Sequence, residues 1–424
     1  MVVFGFYSSK MKKAVRFNIF KLIGWSLVFY LFIFQPIINK NIYLGIEVIL
    51  VLCLFFSRQS LFADNFRLLK LEYLFVGLIC GYAFLLDITH FEIVYLDRFL
   101  ASFFQGYFVS FLFIYFISKS SYLQENLSNT IITVCFIACC ITLAAIMIPS
   151  VSQFCINHAT MDAKDRLQEL YMEGSNEQYR SYGLSESLNF TYAYVLSVIG
   201  CYLLSRKIKV YTPIMLIMII AAIIFNARIA FVPLMVALVY LVLLRKKSVK
   251  GLVSFAVIII VSFLLIKWVL SIFPELKNEW GLSFFTELYA FLTGNDSGAI
   301  DTMTGSMWVI PDNALDFIFG TGKSIYSAVK NSDVGYILQL NYGGITLLFM
   351  ILFYFIYISR RILHKLSLGH WFTIIFIVSI FVLNFKGFYL AAIPGNRFLT
   401  FLYVYYIYAS RRGIYELSPK QKLI

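Results

Sequence analysis

Between Phe319 and Ile337 the chain reads F-G-T-G-K-S-I-Y-S-A-V-K-N-S-D-V-G-Y-I, and three of these letters, G-K-S, belong to nucleotide-binding loops. Such a loop needs a glycine five positions before the one that precedes its lysine, and that position is Phe317. The register excludes a phosphate cradle of that kind. What remains is Lys323, set off by Gly320 and Gly322, followed by Tyr326 and then by Asp333 ahead of an apolar run. A cation, a hydroxyl and a carboxylate so placed suit a phosphate or sugar site. They equally suit a solvated turn, with Ser332 or Asp333 capping the helix that follows.

Three arginines stand in comparable places: Arg180 in Q-Y-R-S-Y-G-L-S-E, Arg228 in N-A-R, and Arg397 in P-G-N-R-F. A guanidinium fork holds a diphosphate at two points, which an ammonium cannot do. Arg228 also admits two plainer readings, snorkelling to the membrane surface or a salt bridge to a neighbour such as Glu186. No metal site is expected, because His90, His158, His364 and His370 are scattered and the seven cysteines show no C-x-x-C spacing. No cofactor is expected either.

The elements that must position these residues follow from composition. At 61% hydrophobic and 13% charged residues over 424 positions, with mean hydropathy +0.82, the chain is too apolar for a soluble domain. Its apolar runs do not alternate in the manner of barrel strands, and each is long enough to cross a hydrocarbon core of about 30 Å as a helix. An all-α, polytopic membrane protein of one transmembrane domain over residues 1–424 is expected. Its twelve spans fall near 19–38, 42–57, 71–87, 98–118, 130–150, 187–204, 211–226, 229–244, 252–272, 333–358, 371–385 and 397–410.

Lys and Arg set the orientation. With Lys12, Lys13 and Arg16 inside, the clusters at 58–70, 206–209, 245–247, 360–361 and 411–412 all fall inside as well, and both termini are cytoplasmic. The net charge of +13 is then a matter of topology and attraction to anionic lipid, and nucleic acid is no part of the reading. The basic N-terminus and first apolar run lack a small-residue cleavage site after Phe34, so they read as an uncleaved span. Two outer loops are long, 151–186 and 273–332. The first carries a charged amphipathic stretch from Asp162 to Arg180, and the second an aromatic stretch, L-S-F-F-T-E-L-Y-A-F-L. Cys155, in the first, is the one cysteine expected to meet an impermeant thiol reagent.

Val210 to Leu244 is apolar for 35 residues apart from its N-A-R, and a single helix of that length would measure about 52 Å. With basic clusters at both ends, the run must turn back at N-A-R, and a cation held there needs an anionic partner or ligand.

Together, R-S-Y-G-L-S-E-S-L-N, N-A-R-I-A and F-G-T-G-K…N-S-D-V-G-Y-I-L-Q-L-N-Y-G-G-I resemble the bacterial O-antigen and capsule polymerases of the Wzy family, over roughly residues 150–360. The related O-antigen ligases show H-N-x-[YF]-L where this chain reads D-V-G-Y-I, so Asp333 stands at the ligase histidine and the resemblance favours a polymerase. It implies a metal-independent glycosyltransferase in the bacterial cytoplasmic membrane. That enzyme extends O-antigen, capsule or exopolysaccharide from polyprenyl-diphosphate-linked donor and acceptor glycans, with a chain-length regulator and a flippase as candidate partners. The roles implied are Asp333 as base, Arg180 and Arg228 as diphosphate clamps, and Lys323, Tyr326, Arg397, Gly320 and Gly322 as substrate contacts. A ligase-like or other polyprenyl-linked glycosyltransferase, and a flippase for lipid-linked oligosaccharides, are the other classes left open.

Overall fold

The structure, a computed structural model, describes residues 3–36, 40–159, 183–186, 190–206, 211–243, 305–325, 332–365, 370–391 and 393–412, with five single helical positions between 257 and 271. Among the described residues all regular structure is helical. In chain order the helices are α1 Val3–Phe34, α2 Lys40–Ser57, α3 Gln59–Leu68, α4 Lys70–His90, α5 Leu96–Phe103, α6 Ser110–Lys119, α7 Ser121–Met147 and α8 Pro149–Asn157. They continue with α9 Thr191–Ser205, α10 Tyr211–Asn226, α11 Phe231–Leu243, α12 Ala314–Phe319, α13 Gly335–Lys365, α14 His370–Lys386 and α15 Ile393–Arg412. A π turn, Phe104–Val109, joins α5 to α6 without interrupting the rod.

Helices occupy eleven of the twelve stretches expected to span, and the remaining one, 252–272, lies outside the described residues except at its single positions. Among the described residues four helical segments are long and apolar enough to cross a bilayer: Lys70–His90, Leu96–Lys119, Ser121–Met147 and Gly335–Leu363. The pair α2 and α3, bent by 104°, makes a fifth if it counts as one span. Others are shorter, and packing explains why that is tolerated. Helix α9, 15 residues long, is buried along nearly its whole length, so protein surrounds it; α15, at 20 residues, is long enough to span and is likewise buried from Gly395 to Tyr408. A helix enclosed by its neighbours need not match the hydrocarbon thickness.

The bundle forms around those two helices. Helix α9 packs on α7, α10 and α11, helix α15 on the α5–α6 rod, and α13 on α4 and α14. Aromatic side chains fill the core. Phe32 stacks on Phe113 at 4.0 Å between ring centres, and Phe29 and Phe401 meet them edge-on.

Two placements differ from expectation. Arg361, expected in a basic loop, lies buried within α13, where it pairs with the fully buried Glu72 of α4 and donates to the Leu68 carbonyl at 2.6 Å. The Tyr403 hydroxyl donates to the same Glu72 oxygen. Helix α13 runs on to Lys365 because this pairing supplies the charge compensation that water would otherwise give. Cys155, expected to be open to reagents, is 3% exposed on α8, and burial pushes its thiol up to about 11. The exposed cysteines are Cys53 and Cys140, on the flanks of α2 and α7. The amphipathic stretch 162–180 and the aromatic stretch 282–292 lie outside the described residues.

Candidate functional site

Helix α13 is broken near its start, and the break organises one end of the bundle. Gly344 adopts φ 65° and ψ −173°, outside helical values, so the carbonyls of the preceding turn lose their partners within the helix. The F-G-T-G stretch supplies replacements. Thr321 N donates to Asn341 O at 2.7 Å, Gly322 N donates to Tyr342 O at 2.9 Å, and Thr346 Oγ1 donates back to the Ile318 carbonyl at 2.7 Å. Gly320 at φ +84° lies against the Tyr342 carbonyl, and Gly344 lies against that of Ile318. The two glycines ahead of Lys323 therefore serve a joint between loop and broken helix. The amide groups a phosphate would use are occupied by protein carbonyls.

An expected outcome follows at this joint. A side chain at Gly344 or Gly320 would occupy a left-handed backbone, costing about 1–2 kcal/mol, and would also strike a carbonyl. Gly344→Ala and Gly320→Ala should each lower the unfolding temperature in detergent. Gly24→Ala, which meets nothing within 4 Å, should not.

The joint is also tied to α4. Asn341 Nδ2 donates to Val309 O at 2.7 Å, and the Tyr342 hydroxyl donates to Asp87 Oδ1 at 2.7 Å. Asp87, 4% exposed, accepts from the amides of Val94 and Leu96 through its other oxygen, and so closes the turn between α4 and α5. Tyr95 and Ser324 share a hydrogen bond of 2.9 Å, and Gly322 lies against the ring of His90. Lys323 itself is exposed.

Asp333 stands at the same end, and it is not the cap of α13. Ser332 Oγ accepts from Val334 N at 3.1 Å, while the Asp333 carboxylate faces Lys386 Nζ at 3.5 Å. Both side chains are about a third exposed, 37% for Asp333 and 31% for Lys386. Close backbone approaches hold the two together. Gly335 fits against the carbonyls of Asn384 and Gly387, and Gly387 in turn fits against the ring of Phe190.

Arg397 lies deeper than a span mouth, fully buried at 0% exposed. Its Nη1 donates to the carbonyls of Phe32 and Ile33 at 3.0 and 2.9 Å, two of the last carbonyls of α1. Helix α1 ends there because Gln35 enters the left-handed region at φ 39° and Pro36 follows. Arg397 Nη2 donates to Glu186 Oε1 and Gln105 Oε1, both at 2.6 Å, and to Gln35 Oε1 at 3.1 Å. Both glutamines turn their amide nitrogens to Glu47, whose two oxygens accept one each. The π turn in the α5–α6 rod carries Gln105, with Gly106 beside it closely packed on Thr400 of α15.

Of the residues singled out in the sequence, Gly320, Gly322 and Lys323 lie at the joint with α13 and Asp333 at the start of that helix, while Arg397 belongs to a separate buried network. The turn Arg228–Ala230 packs on α9 between α10 and α11, while the side chain of Arg228 lies outside the described residues, as do Arg180 and Tyr326. Glu186, weighed as a partner for Arg228, is paired with Arg397. Lys386 was not singled out, although a lysine followed by glycine directly after an apolar run was a readable signal. Among the described residues no group of three or more His, Cys, Asp or Glu side chains is placed to hold a metal ion.

The fold and its apolar helices define the class: an all-helical membrane protein with a polar assembly at one end of the bundle. Comparison with protein-family models, curated proteins and solved structures finds no match to the chain.

Proposed function

We propose that the protein polymerises polyprenyl-diphosphate-linked oligosaccharide repeat units at the outer face of the bacterial cytoplasmic membrane. In this reading it has twelve spans, cytoplasmic termini and the Asp333 end outside. The acceptor sugar hydroxyl attacks the anomeric carbon of the donor glycan, a base takes the hydroxyl proton, and the bond from that carbon to the diphosphate oxygen breaks. Polyprenyl diphosphate leaves with the bonding electrons, so the reaction needs positive charge at the departing group. Asp333 is the base, and Arg180 and Arg228 hold the diphosphate, with Lys323 and Tyr326 as supporting contacts.

One observation carries the reading. Among the described residues the Asp333 carboxylate, 37% exposed, pairs with Lys386 alone, at 3.5 Å, and it is Ser332 that accepts from Val334 N. A carboxylate so held is available to accept a proton, whereas Asp87 and Glu186 are committed to the fold. Arg397, assigned a supporting contact from the sequence, acts in this reading as the residue that holds α1, α15 and the π turn in place.

Transport of lipid-linked oligosaccharide is the second reading, and it draws on the buried set Arg397, Glu186 and Glu47, because charge inside a bundle is a feature of transporters. Cells lacking the protein separate the two. Polymerisation predicts single lipid-linked repeat units displayed at the outer face and no longer chains. Accumulation at the inner face alone would make transport the better assignment.

A further inference from the structure

We infer that the segment 305–325 dips into the bilayer as a ledge, with the apolar face of α12 against the acyl chains of the leaflet on the Asp333 side. One span measures its depth and a second holds it at that level. The Phe319 carbonyl accepts from the Tyr82 hydroxyl at 2.8 Å, and Tyr82 lies eight residues, about 12 Å, before the end of α4 at His90. The Ile318 carbonyl accepts from Thr346 of α13, just past the break at Gly344, so the neighbouring carbonyl leans on a second span at the same level. Helix α4 is 21 residues long, close to the thickness of the hydrocarbon core, so a point that far from its end lies within the leaflet. The chain then climbs back. Gly322 reaches His90 and Ser324 reaches Tyr95, beyond the end of α4, which three to five extended residues can span.

The ledge carries the side chains that this position requires. Leu315, Ile318 and Phe319 are 67%, 41% and 53% exposed and share one face of α12 at helical spacing. Asp312 is exposed just ahead of the helix, and Asn313 caps it through the amides of Leu315 and Asp316 while its own amide donates to the Asp316 carboxylate. Leu85 on α4, one turn from Tyr82, and Phe349 and Phe353 on α13, one and two turns from Thr346, are half-exposed as well. These are flanks of helices that cross the membrane, so the ledge and the flanks have the same neighbour.

Backbone chemistry agrees. Irregular chain at membrane depth must find its hydrogen bonds within the protein. Here the carbonyls of Val309, Ile318 and Phe319 accept from Asn341, Thr346 and Tyr82, and the amides of Thr321 and Gly322 donate to α13. Side chains of the flanking spans thus satisfy the groups water would serve in an aqueous loop. In this placement Asp312 and Asn313, ahead of the helix, stay out of the acyl region, and Lys323, next to Gly322, reaches the headgroup level.

The ledge is independent of the reaction proposed above and of which side of the membrane it faces. Its test is a photoreactive diazirine amino acid placed singly at positions 315, 319 and 312 of the full chain in phospholipid vesicles. All three side chains are exposed, so folding is preserved, and monodispersity in detergent checks it. Lipid adducts are expected as the main product at 315 and 319, and the water-quenched product at 312. Water-quenched product at all three positions would place the segment in solvent and overturn the inference, as would an equal yield of lipid adduct at 312.

Discussion

Asp333→Asn should leave the protein at normal abundance in the membrane and remove nearly all long polymer. The substitution keeps the size of the side chain and its hydrogen-bonding oxygen but abolishes its capacity to take a proton. Loss of a general base lowers a rate by roughly 10² to 10⁴, enough to shift the product to single repeat units. Stability cannot account for such a loss. Both members of the Asp333–Lys386 pair are about a third exposed, and pairs of that kind contribute about 0–1 kcal/mol, less once solvent screening is allowed for. Lys386→Met separates the carboxylate from its pairing: it should fold, and it should retain far more polymer than Asp333→Asn. Arg228→Lys should fail with Asp333→Asn, because a point charge does not reproduce a two-point contact with diphosphate. Chain length on a gel, read beside membrane abundance, measures all three. Near-normal polymer from Asp333→Asn would leave the reaction without its base and return this residue to a structural role.

The helices were legible because the lipid environment forces them: an apolar run with no water to serve its backbone has one local solution, and eleven of the expected stretches carry helices. The break at N-A-R, where α10 ends at Asn226 and α11 begins at Phe231, was legible from length, since one rod over the whole run would overshoot the bilayer. What the glycines of F-G-T-G do was not. Their partners are the carbonyls of Asn341 and Tyr342, freed by a break at Gly344 in another element, and no local spacing reveals that juxtaposition. Lys386 and Asp333 are 53 positions apart and meet only because Gly335 and Gly387 let two helix ends approach. Arg397 shows the limit most clearly. The sequence places an arginine at the head of an apolar run, but whether it faces water or the core depends on what the neighbouring helices present, and they present a ring of acceptors.

Arg397→Leu should prevent the protein from accumulating in folded form, whatever the reaction. The guanidinium is 0% exposed and donates to the carbonyls of Phe32 and Ile33, both glutamines and Glu186. Leucine fills part of the volume but leaves the Glu186 carboxylate buried and without its cation. Breaking a buried pair in that way costs about 3–5 kcal/mol, a large share of the stability of most domains. Arg397→Lys should also be severely reduced, because three donors on one nitrogen cannot reach acceptors spread over α1, the π turn and the 183–186 segment. The double variant Arg397→Leu with Glu186→Gln removes the stranded charge along with its partner, and it should recover part of the loss; the size of that recovery isolates the pair from the rest of the network. Folded yield in detergent, measured before any assay of polymer, checks the series. Full yield of Arg397→Lys with polymer abolished would be the opposite result. It would mean that the arginine leaves its internal acceptors for a substrate anion, and the sequence-based assignment of Arg397 as a substrate contact would then outrank the structural one.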